Sequence, residues 1–433
     1  MVVGEDCPLA VLGMFAGRSI VMRRWIALGL ILFASGIAGA QISPEFFAMH
    51  VLSTQDPWPS TVGVQFSSWR SVSSMVTWAN INTAPGVYDW SHLDQLLDIA
   101  GQNGQSVLYT FYYTPTWASS CPTCVCNQGK QSPGGCYPPN DLNPDGSGTD
   151  LHLKTFITAL MQHEGAGKIS YIEIWNEPNV PSEWGGTIQQ LVRMTADVRA
   201  IAKSFDPNIQ IASPPETGDG DMGLQMNYLT GYLAAGGGRY VDVIALHGYV
   251  LEPEDIITRI NNTTAAMAQY GQSGKPIFIT EGSWCCQNDP ISLAAQPGFS
   301  FRQYLSILCT PVGRSYLFAF DASNEGNLWD STLGTMTTNG IAYQLYYNWL
   351  AGATMTQPCQ PYAVGLPVWT CTFSRAGGYQ AAAVWDTKLV HGGNVIVKVP
   401  AQYVQYRDLY GNVVPIKNHQ VPISYTPIWL ENQ

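Results

Sequence analysis

Between residue 45 and about residue 350, short apolar runs alternate with stretches of helical spacing, and the alternation repeats eight times. The candidate strands are 46–51, 62–67, 106–113, 169–175, 209–213, 241–247, 276–280 and 315–320, rich in β-branched or aromatic residues. Between them lie apolar stripes. One runs through Leu93, Leu96, Leu97 and Ala100 after Ser91 as cap, and a second through Leu153, Phe156, Ile157, Leu160 and Met161 after Asp150. A third runs from Ile188 through Leu191, Val198 and Ala202 to Phe205 and stops at Asp206-Pro207, and a weaker one holds Ile256, Ile260 and Met267. Strands joined through helices pair in parallel, because a parallel connection needs a crossover long enough to hold a helix. Eight such units predict closure as a (β/α)8 TIM barrel over residues 42–350, with a doubly wound open sheet as the alternative.

From about Ala351 the pattern changes to short alternating stretches separated by Gly-Gly, Pro and Asn turns, with no helical spacing through Gln433. Residues 351–433 therefore read as a small all-β, sandwich-like domain that packs against the barrel, with Cys359 and Cys371 placed to staple a hairpin.

The start of the chain carries an export signal. Met22-Arg23-Arg24 supplies a basic segment, Trp25 to Gly36 an apolar one, and Ala38-Gly39-Ala40 a small-residue cleavage site before Gln41. Residues 22–40 are thus a signal peptide, and residues 1–21 precede a complete signal and read as an over-extended start. The expectation is a secreted or periplasmic protein with no stable membrane insertion after cleavage. Under oxidising conditions most of Cys121, Cys124, Cys126, Cys136, Cys285, Cys286, Cys309, Cys359 and Cys371 should be disulfide-bonded. Cys121-x-x-Cys124-x-Cys126 with Cys136 has no paired His spacing nearby to make a zinc site. The odd count leaves one thiol, which we assign to a buried Cys309 on the apolar face of a helix. With a net charge of −11 and only 12% charged residues, the chain lacks the basic surface that nucleic-acid binding requires. Its 14 Trp and 22 Tyr exceed what a core needs and suit clefts that stack on flat ligands such as sugar rings.

Two glutamates end apolar runs: Glu177 in Ile174-Trp175-Asn176-Glu177-Pro178 and Glu281 in Ile277-Phe278-Ile279-Thr280-Glu281-Gly282. Both runs read as buried strands that stop at the carboxylate, the fourth and seventh in order, and the carboxyl ends of barrel strands are where such folds keep their chemistry. Glycosidic bonds are broken by two such carboxyl groups, one giving a proton to the leaving oxygen and the other acting as nucleophile or as base for water. Glu173, inside the fourth run, reads as a structural charge.

With Trp175-Asn176-Glu177-Pro178-Asn179, Pro85-Gly86-Val87-Tyr88-Asp89-Trp90 and Thr114-Pro115-Thr116-Trp117-Ala118, the chain resembles the clan A retaining glycoside hydrolases, most of all family 39 and its relatives. The resemblance implies Glu177 as acid/base, Glu281 as nucleophile and Asn176 as the partner of the sugar 2-hydroxyl. It also implies His247 and Tyr249 as a His-x-Tyr element beside the nucleophile, and Arg70, following the second strand, as an arginine that holds such a carboxylate ionised. Trp329 after the eighth strand is a candidate sugar platform, Trp117 and Trp184 could extend it, and His50 at the end of the first strand lines the pocket floor. The expected activity is retaining hydrolysis of β-glycosidic bonds in a polysaccharide or oligosaccharide, xylosidase-like by resemblance. It needs no cofactor and no metal, and its partner is a carbohydrate. The alternatives are an endo-acting β-glucanase or mannanase of the same clan and a catalytically silent carbohydrate-binding envelope protein.

Overall fold

A computed structural model describes residues 39–126, 132–218, 225–283, 295–322, 326–362, 367–388 and 393–433. The expected signal peptide (apart from Gly39 and Ala40), the segment 1–21, and Cys285 and Cys286 lie outside the described residues.

Eight strands form one parallel sheet: β1 (Phe47–His50), β2 (Ser68–Arg70), β3 (Ser106–Phe111), β4 (Tyr171–Ile174), β5 (Gln210–Ala212), β6 (Ile244–His247), β7 (Ile277–Glu281) and β8 (Val312–Leu317). Their spatial order is β5-β4-β3-β2-β1-β8-β7-β6, and parallel bridges Ala212–Val243 and Glu216–Leu246 close the ring between β5 and β6. The cyclic order excludes the open-sheet alternative and establishes the TIM barrel. One expected strand is misplaced. Residues 62–67 alternate in hydrophobicity, but Pro59 starts a short 3-10 turn that Gly63 ends in the left-handed region, and β2 forms only at Ser68-Trp69-Arg70. Arg70 is therefore the last residue of its strand.

The helices are α1 (Trp78–Ile81), α2 (Ser91–Gln102), α3 (Leu151–Glu164), α4 (Ile188–Phe205), α5 (Gln225–Ala234), α6 (Asp255–Gln269), α7 (Gln296–Ile307) and α8 (Thr338–Leu350). The expected stripes are the buried faces of α2, α3, α4 and α6, except at the ends of α4, where Ile188 is half-buried and Phe205 is exposed. Thr187 and Gln190 form a capping box on α4. Ser91 and Asp150 do not cap as expected; Asp89 accepts from Ser91 N at 3.1 Å, and Asp141 accepts from Leu151 N at 2.5 Å, so acceptors outside each helix satisfy its first amide. Helix α7 shows no stripe in the sequence because it is buried on every side.

After the short hairpin β9 (Trp329–Asp330) and β10 (Thr335–Met336), the described elements beyond α8 are strands apart from a 3-10 turn at Ala376–Gly378: β11 (Thr354–Pro361), β12 (Val368–Arg375), β13 (Tyr379–Asp386), β14 (Val395–Lys398), β15 (Gln405–Arg407), β16 (Val413–Pro415), β17 (Gln420–Ile423) and β18 (Ile428–Glu431). They make an antiparallel sheet in the order β11-β12-β13-β18-β15-β16 and a second ribbon of β14 and β17, as the sandwich-like reading expects. Disulfide Cys359–Cys371 ties β11 to β12, and Cys121–Cys124 and Cys126–Cys136 staple the loop after β3. Cys309 is the free thiol among the described residues; it lies just past the end of α7, and it is half-buried rather than fully buried.

Barrel and β-domain share one core. Trp429 of β18 stacks on Trp349 of α8 at 5.5 Å, and Arg302 of α7, fully buried, pairs with Glu254 at 2.6 Å and lies 4.2 Å above the Tyr425 ring. Glu254 also accepts from the Trp385 indole of β13 at 2.7 Å. Replacing Arg302 with Ala strands that carboxylate, and denaturant unfolding of R302A should show a loss of about 3–5 kcal/mol.

Candidate functional site

All eight strands run the same way, so their last residues share one face of the barrel. Six of the residues that meet there end strands or follow them closely: His50 of β1, Arg70 of β2, His247 of β6, Glu281 of β7, and Asn176 and Glu177 beyond β4. Along β4 the side chains alternate, Ile172 and Ile174 to one face and Glu173 to the other.

Arg70 is the hub. Fully buried, it donates from Nε to Glu173 Oε2 at 2.7 Å, from Nη1 to Glu281 Oε2 at 2.7 Å and from Nη2 to Asn176 Oδ1 at 2.9 Å. Thr110 of β3 donates to the same Glu173 oxygen at 2.8 Å. Burial works against the guanidinium charge, but Glu173 and Glu281 outweigh it and raise the Arg70 pKa. The other oxygen of Glu281 accepts from the Tyr249 hydroxyl at 2.6 Å. His50 lies beneath, with Nε2 2.9 Å from the Thr280 carbonyl oxygen, and is wholly buried, so it forms floor and not contact surface.

His247 joins the two glutamates. Its Nδ1 is 2.8 Å from Glu177 Oε1, and its Nε2 faces Arg70 Nη2 at 3.4 Å. Arg70 has only donors, so Nε2 is the lone-pair nitrogen and Nδ1 carries the proton given to Glu177. Burial lowers the His247 pKa to about 3, which keeps the ring neutral. Burial also pushes the Glu177 carboxyl above its ordinary value of 4.5 and favours its protonated form. One oxygen each of Glu177 and Glu281 and a ring nitrogen of His247 lie within 4.8 Å of one another. These three could offer ligands to a cation, but Arg70 already compensates Glu281, and a protonated Glu177 is a poor ligand.

The strand expected to stop at Glu177 ends earlier. β4 closes at Ile174, and Trp175 and Glu177 then take left-handed φ values of +64° and +46°. Ser73, Met75 and Tyr113, beyond β2 and β3, are left-handed too. Such geometry is costly for residues with a side chain, and strained backbone of this kind concentrates at functional sites.

The structure brings Glu177, Glu281, Asn176, His247, Tyr249, Arg70 and His50 together. It places none of Trp117, Trp184 and Trp329 in a hydrogen bond or ring contact with these seven among the described residues. Trp184 is 5% exposed and packs edge-on against Trp175 at 4.6 Å, so it is core and no platform. Trp329 is half-buried in the arm after β8, stacked on Phe320 and donating to Asp56 at 3.1 Å. Trp117 donates to the Asn82 carbonyl at 3.0 Å. Tyr88 and Trp90 of the Pro85-to-Trp90 motif stack on each other, and Trp90 stacks on Phe156 and His163 of α3, outside the cluster.

Three groups at or beside the site escape the sequence reading. Glu183 is buried, receives the Tyr113 hydroxyl, and has its pKa pushed up to about 7 by burial, with the charges of Glu177 and Glu281 adding to the effect. Glu216, also pushed by burial to about 7, accepts from Leu229 N at 2.9 Å, and Arg259 of α6 donates to its carbonyl oxygen at 3.0 Å. Phe318, next after β8, stands edge-on to His50 at 4.9 Å. Glu183 sits in a polar loop and Phe318 at an ordinary strand end, so neither carries a sequence signal of its own.

Residues 148–303 match a family model described as the glycosyl hydrolase catalytic core. Among solved structures, the fold resembles a glucosidase from Croceicoccus marinus (TM-score 0.59, 14% identity, covering 89% of this chain and 83% of that one). It also resembles a monomeric β-xylosidase from Caulobacter crescentus (0.58, 14%, 91% and 97%) and a family 30 endoxylanase from Clostridium papyrosolvens (0.58, 11%, 91% and 98%). At these identities the likeness is one of fold. No curated protein sequence matches the chain. The matched segment holds Glu177, His247, Tyr249 and Glu281, and within its TIM barrel the chain carries a glycosyl hydrolase catalytic core and is a glycosidase.

Proposed function

We propose that the protein is a retaining glycosidase that cleaves β-linked sugars by double displacement, with Glu281 as nucleophile and Glu177 as acid/base. The reading rests above all on the two carboxyl groups meeting at one place, with one oxygen of each within 4.8 Å of the other, a nearest-oxygen separation compatible with the spacing of a retaining pair. Retaining enzymes hold their carboxyl groups about 5–5.5 Å apart, whereas inverting ones need about 6.5–9.5 Å to admit a water.

In the first step a Glu281 oxygen attacks the anomeric carbon while Glu177 passes its proton to the leaving oxygen, and the glycosidic bond breaks. The product is a glycosyl ester on Glu281 and an ionised Glu177. In the second step Glu177 takes a proton from water, the water oxygen bonds to the anomeric carbon, and Glu281 leaves as carboxylate. His247 Nδ1 fixes one Glu177 oxygen and leaves the other to carry the proton. Arg70 engages Asn176 through Oδ1, which frees the Asn176 amide nitrogen to donate to the sugar 2-hydroxyl.

The substrate assignment, xylosidase-like, follows the family resemblance and the β-xylosidase among the similar structures. Three disulfides among the described residues favour an oxidising, secreted or periplasmic setting. No helix among the described residues is long and apolar enough to cross a membrane.

Glu281→Gly should abolish hydrolysis of para-nitrophenyl β-glycosides, and added azide should restore turnover as a glycosyl azide of inverted configuration. Hydrolysis by E281G at the wild-type rate would remove Glu281 from the mechanism. Glu177→Gln should lower kcat on substrates with poor leaving groups by about 10²–10⁴-fold.

Because burial holds the Glu177 proton above its ordinary value of 4.5, the alkaline limb of kcat/KM should fall at higher pH than that. A profile already declining through pH 4.5 would contradict the acid role.

A further inference from the structure

The loops after β2 and β3, on the same face as the two glutamates, border an open cavity of about 590 Å³. Asn82, Thr83, Thr116, Trp117, Ser119 and Asn140 line it together with Ala79 and three other small or proline side chains, and none of its lining residues is ionisable. An aromatic plate ringed by hydroxyls and amides, with no charge, has the chemistry of a site for an uncharged sugar.

The plate is held in place. The Trp117 indole nitrogen donates to the Asn82 carbonyl at 3.0 Å, and its ring meets His152 edge-on at 5.1 Å, yet the residue stays half-buried. Asn82 is locked in turn, its side-chain nitrogen donating to Ala84 and Val87. The Ser119 hydroxyl donates to the Gly134 carbonyl at 2.8 Å inside a loop stapled by Cys121–Cys124 and Cys126–Cys136. A Cβ on Gly134, whose φ is +75°, would stand 2.6 Å from the Cys121 carbonyl oxygen, so the loop is closed tightly at that point. Preorganisation of this kind lowers the ordering cost of binding. The Asn140 side-chain oxygen takes His152, but its nitrogen and the Thr83 hydroxyl meet no described partner, which leaves groups to bond sugar hydroxyls.

The cavity wall connects to the site through β3 and the residues that follow it. Ala79 N donates to the Tyr113 carbonyl at 3.0 Å, and the Tyr113 hydroxyl reaches Glu183, which senses the charges of Glu177 and Glu281. Cavity and glutamates lie at the same face of the barrel, where a chain of sugars crossing that face meets both.

We infer that this cavity is an oligosaccharide-binding subsite remote from the cleaved bond, holding a neutral sugar residue of a longer chain against Trp117. The inference rests on the proposed glycosidase reading and makes the substrate an oligosaccharide or polysaccharide rather than a simple glycoside.

The test compares xylo-, cello- and mannohexaose with para-nitrophenyl monoglycosides of the same sugars. In Trp117→Ala the ratio of kcat/KM on the cleaved hexasaccharide to that on the monoglycoside should fall about tenfold, the scale of one lost stacking contact. Trp117→Tyr should restore most of it, and Asn140→Ala should lower it in the same direction. An unchanged ratio in both W117A and N140A overturns the subsite, as does a loss in W117A that tyrosine does not rescue and N140A does not share. A direct titration of Glu281→Gln with the hexasaccharides, followed by tryptophan fluorescence, separates the two readings. If the wild type hydrolyses none of the substrates but a hexasaccharide binds in a Trp117-dependent manner, the subsite stands and the catalytic reading falls. Hydrolysis with no Trp117-dependent binding does the reverse.

Discussion

One buried guanidinium organises the site. Arg70 is removed from water entirely, at a cost of several kcal/mol, and only its placement between Glu173 and Glu281 offsets that cost. The three directions of its planar head fix three separate pieces of chain: β4 through Glu173, β7 through Glu281, and the bend after β4 through Asn176. A lysine in its place would offer a point charge and could not hold all three at set angles. The same contact sets the chemistry, because an Arg70 that offers only donors turns the lone pair of His247 Nε2 toward itself and leaves Nδ1–H for Glu177. The two glutamates thereby acquire opposite surroundings. Glu281 has a cation and a hydroxyl donor against it, whereas burial dominates around Glu177 and favours its protonated form.

The barrel was legible because its signal is repeated: eight apolar runs, three clear stripes and a weaker fourth agree with one another, and an error in one unit does not disturb the count. The misplaced second strand shows the limit. Val62, Val64 and Phe66 alternate as a strand would, yet Pro59 and Gly63 impose a turn, and the three-residue strand that follows is too short to carry a periodic signal. Helix α7 was unreadable for the opposite reason, since burial on all sides leaves no polar face to mark a period.

Within the site, the residues that end strands could be read from the sequence, because position in a barrel implies a shared face. Residues that arrive through bends could not be ranked. Trp184 and Trp117 are equally aromatic in the sequence, and only the fold buries one against Trp175 and leaves the other lining a cavity. Glu173 could be read as structural from its place inside the fourth run, but its function as the anchor of Arg70 depends on a contact 103 residues away in the chain.

The β-domain bears on the site through a continuous set of contacts. Trp385 of β13 donates to Glu254, Glu254 pairs with Arg302 of α7, and one residue further along α7 the Gln303 amide donates to the Gly248 carbonyl at 2.6 Å. Gly248 precedes Tyr249, whose hydroxyl holds Glu281, and Gly248 N itself donates to the Glu281 carbonyl at 2.6 Å. A Cβ on Gly248 would stand 2.9 Å from the Ile279 side chain, so the loop after β6 runs close against β7 and cannot move independently of it. The segment that positions Tyr249 is therefore clamped between β7 on one side and a helix braced by the β-domain on the other. A hydroxyl that must meet one carboxylate oxygen at 2.6 Å tolerates little drift, and the rigid backing behind the loop accounts for why the strands after α8 share a core with the barrel instead of forming a separate module.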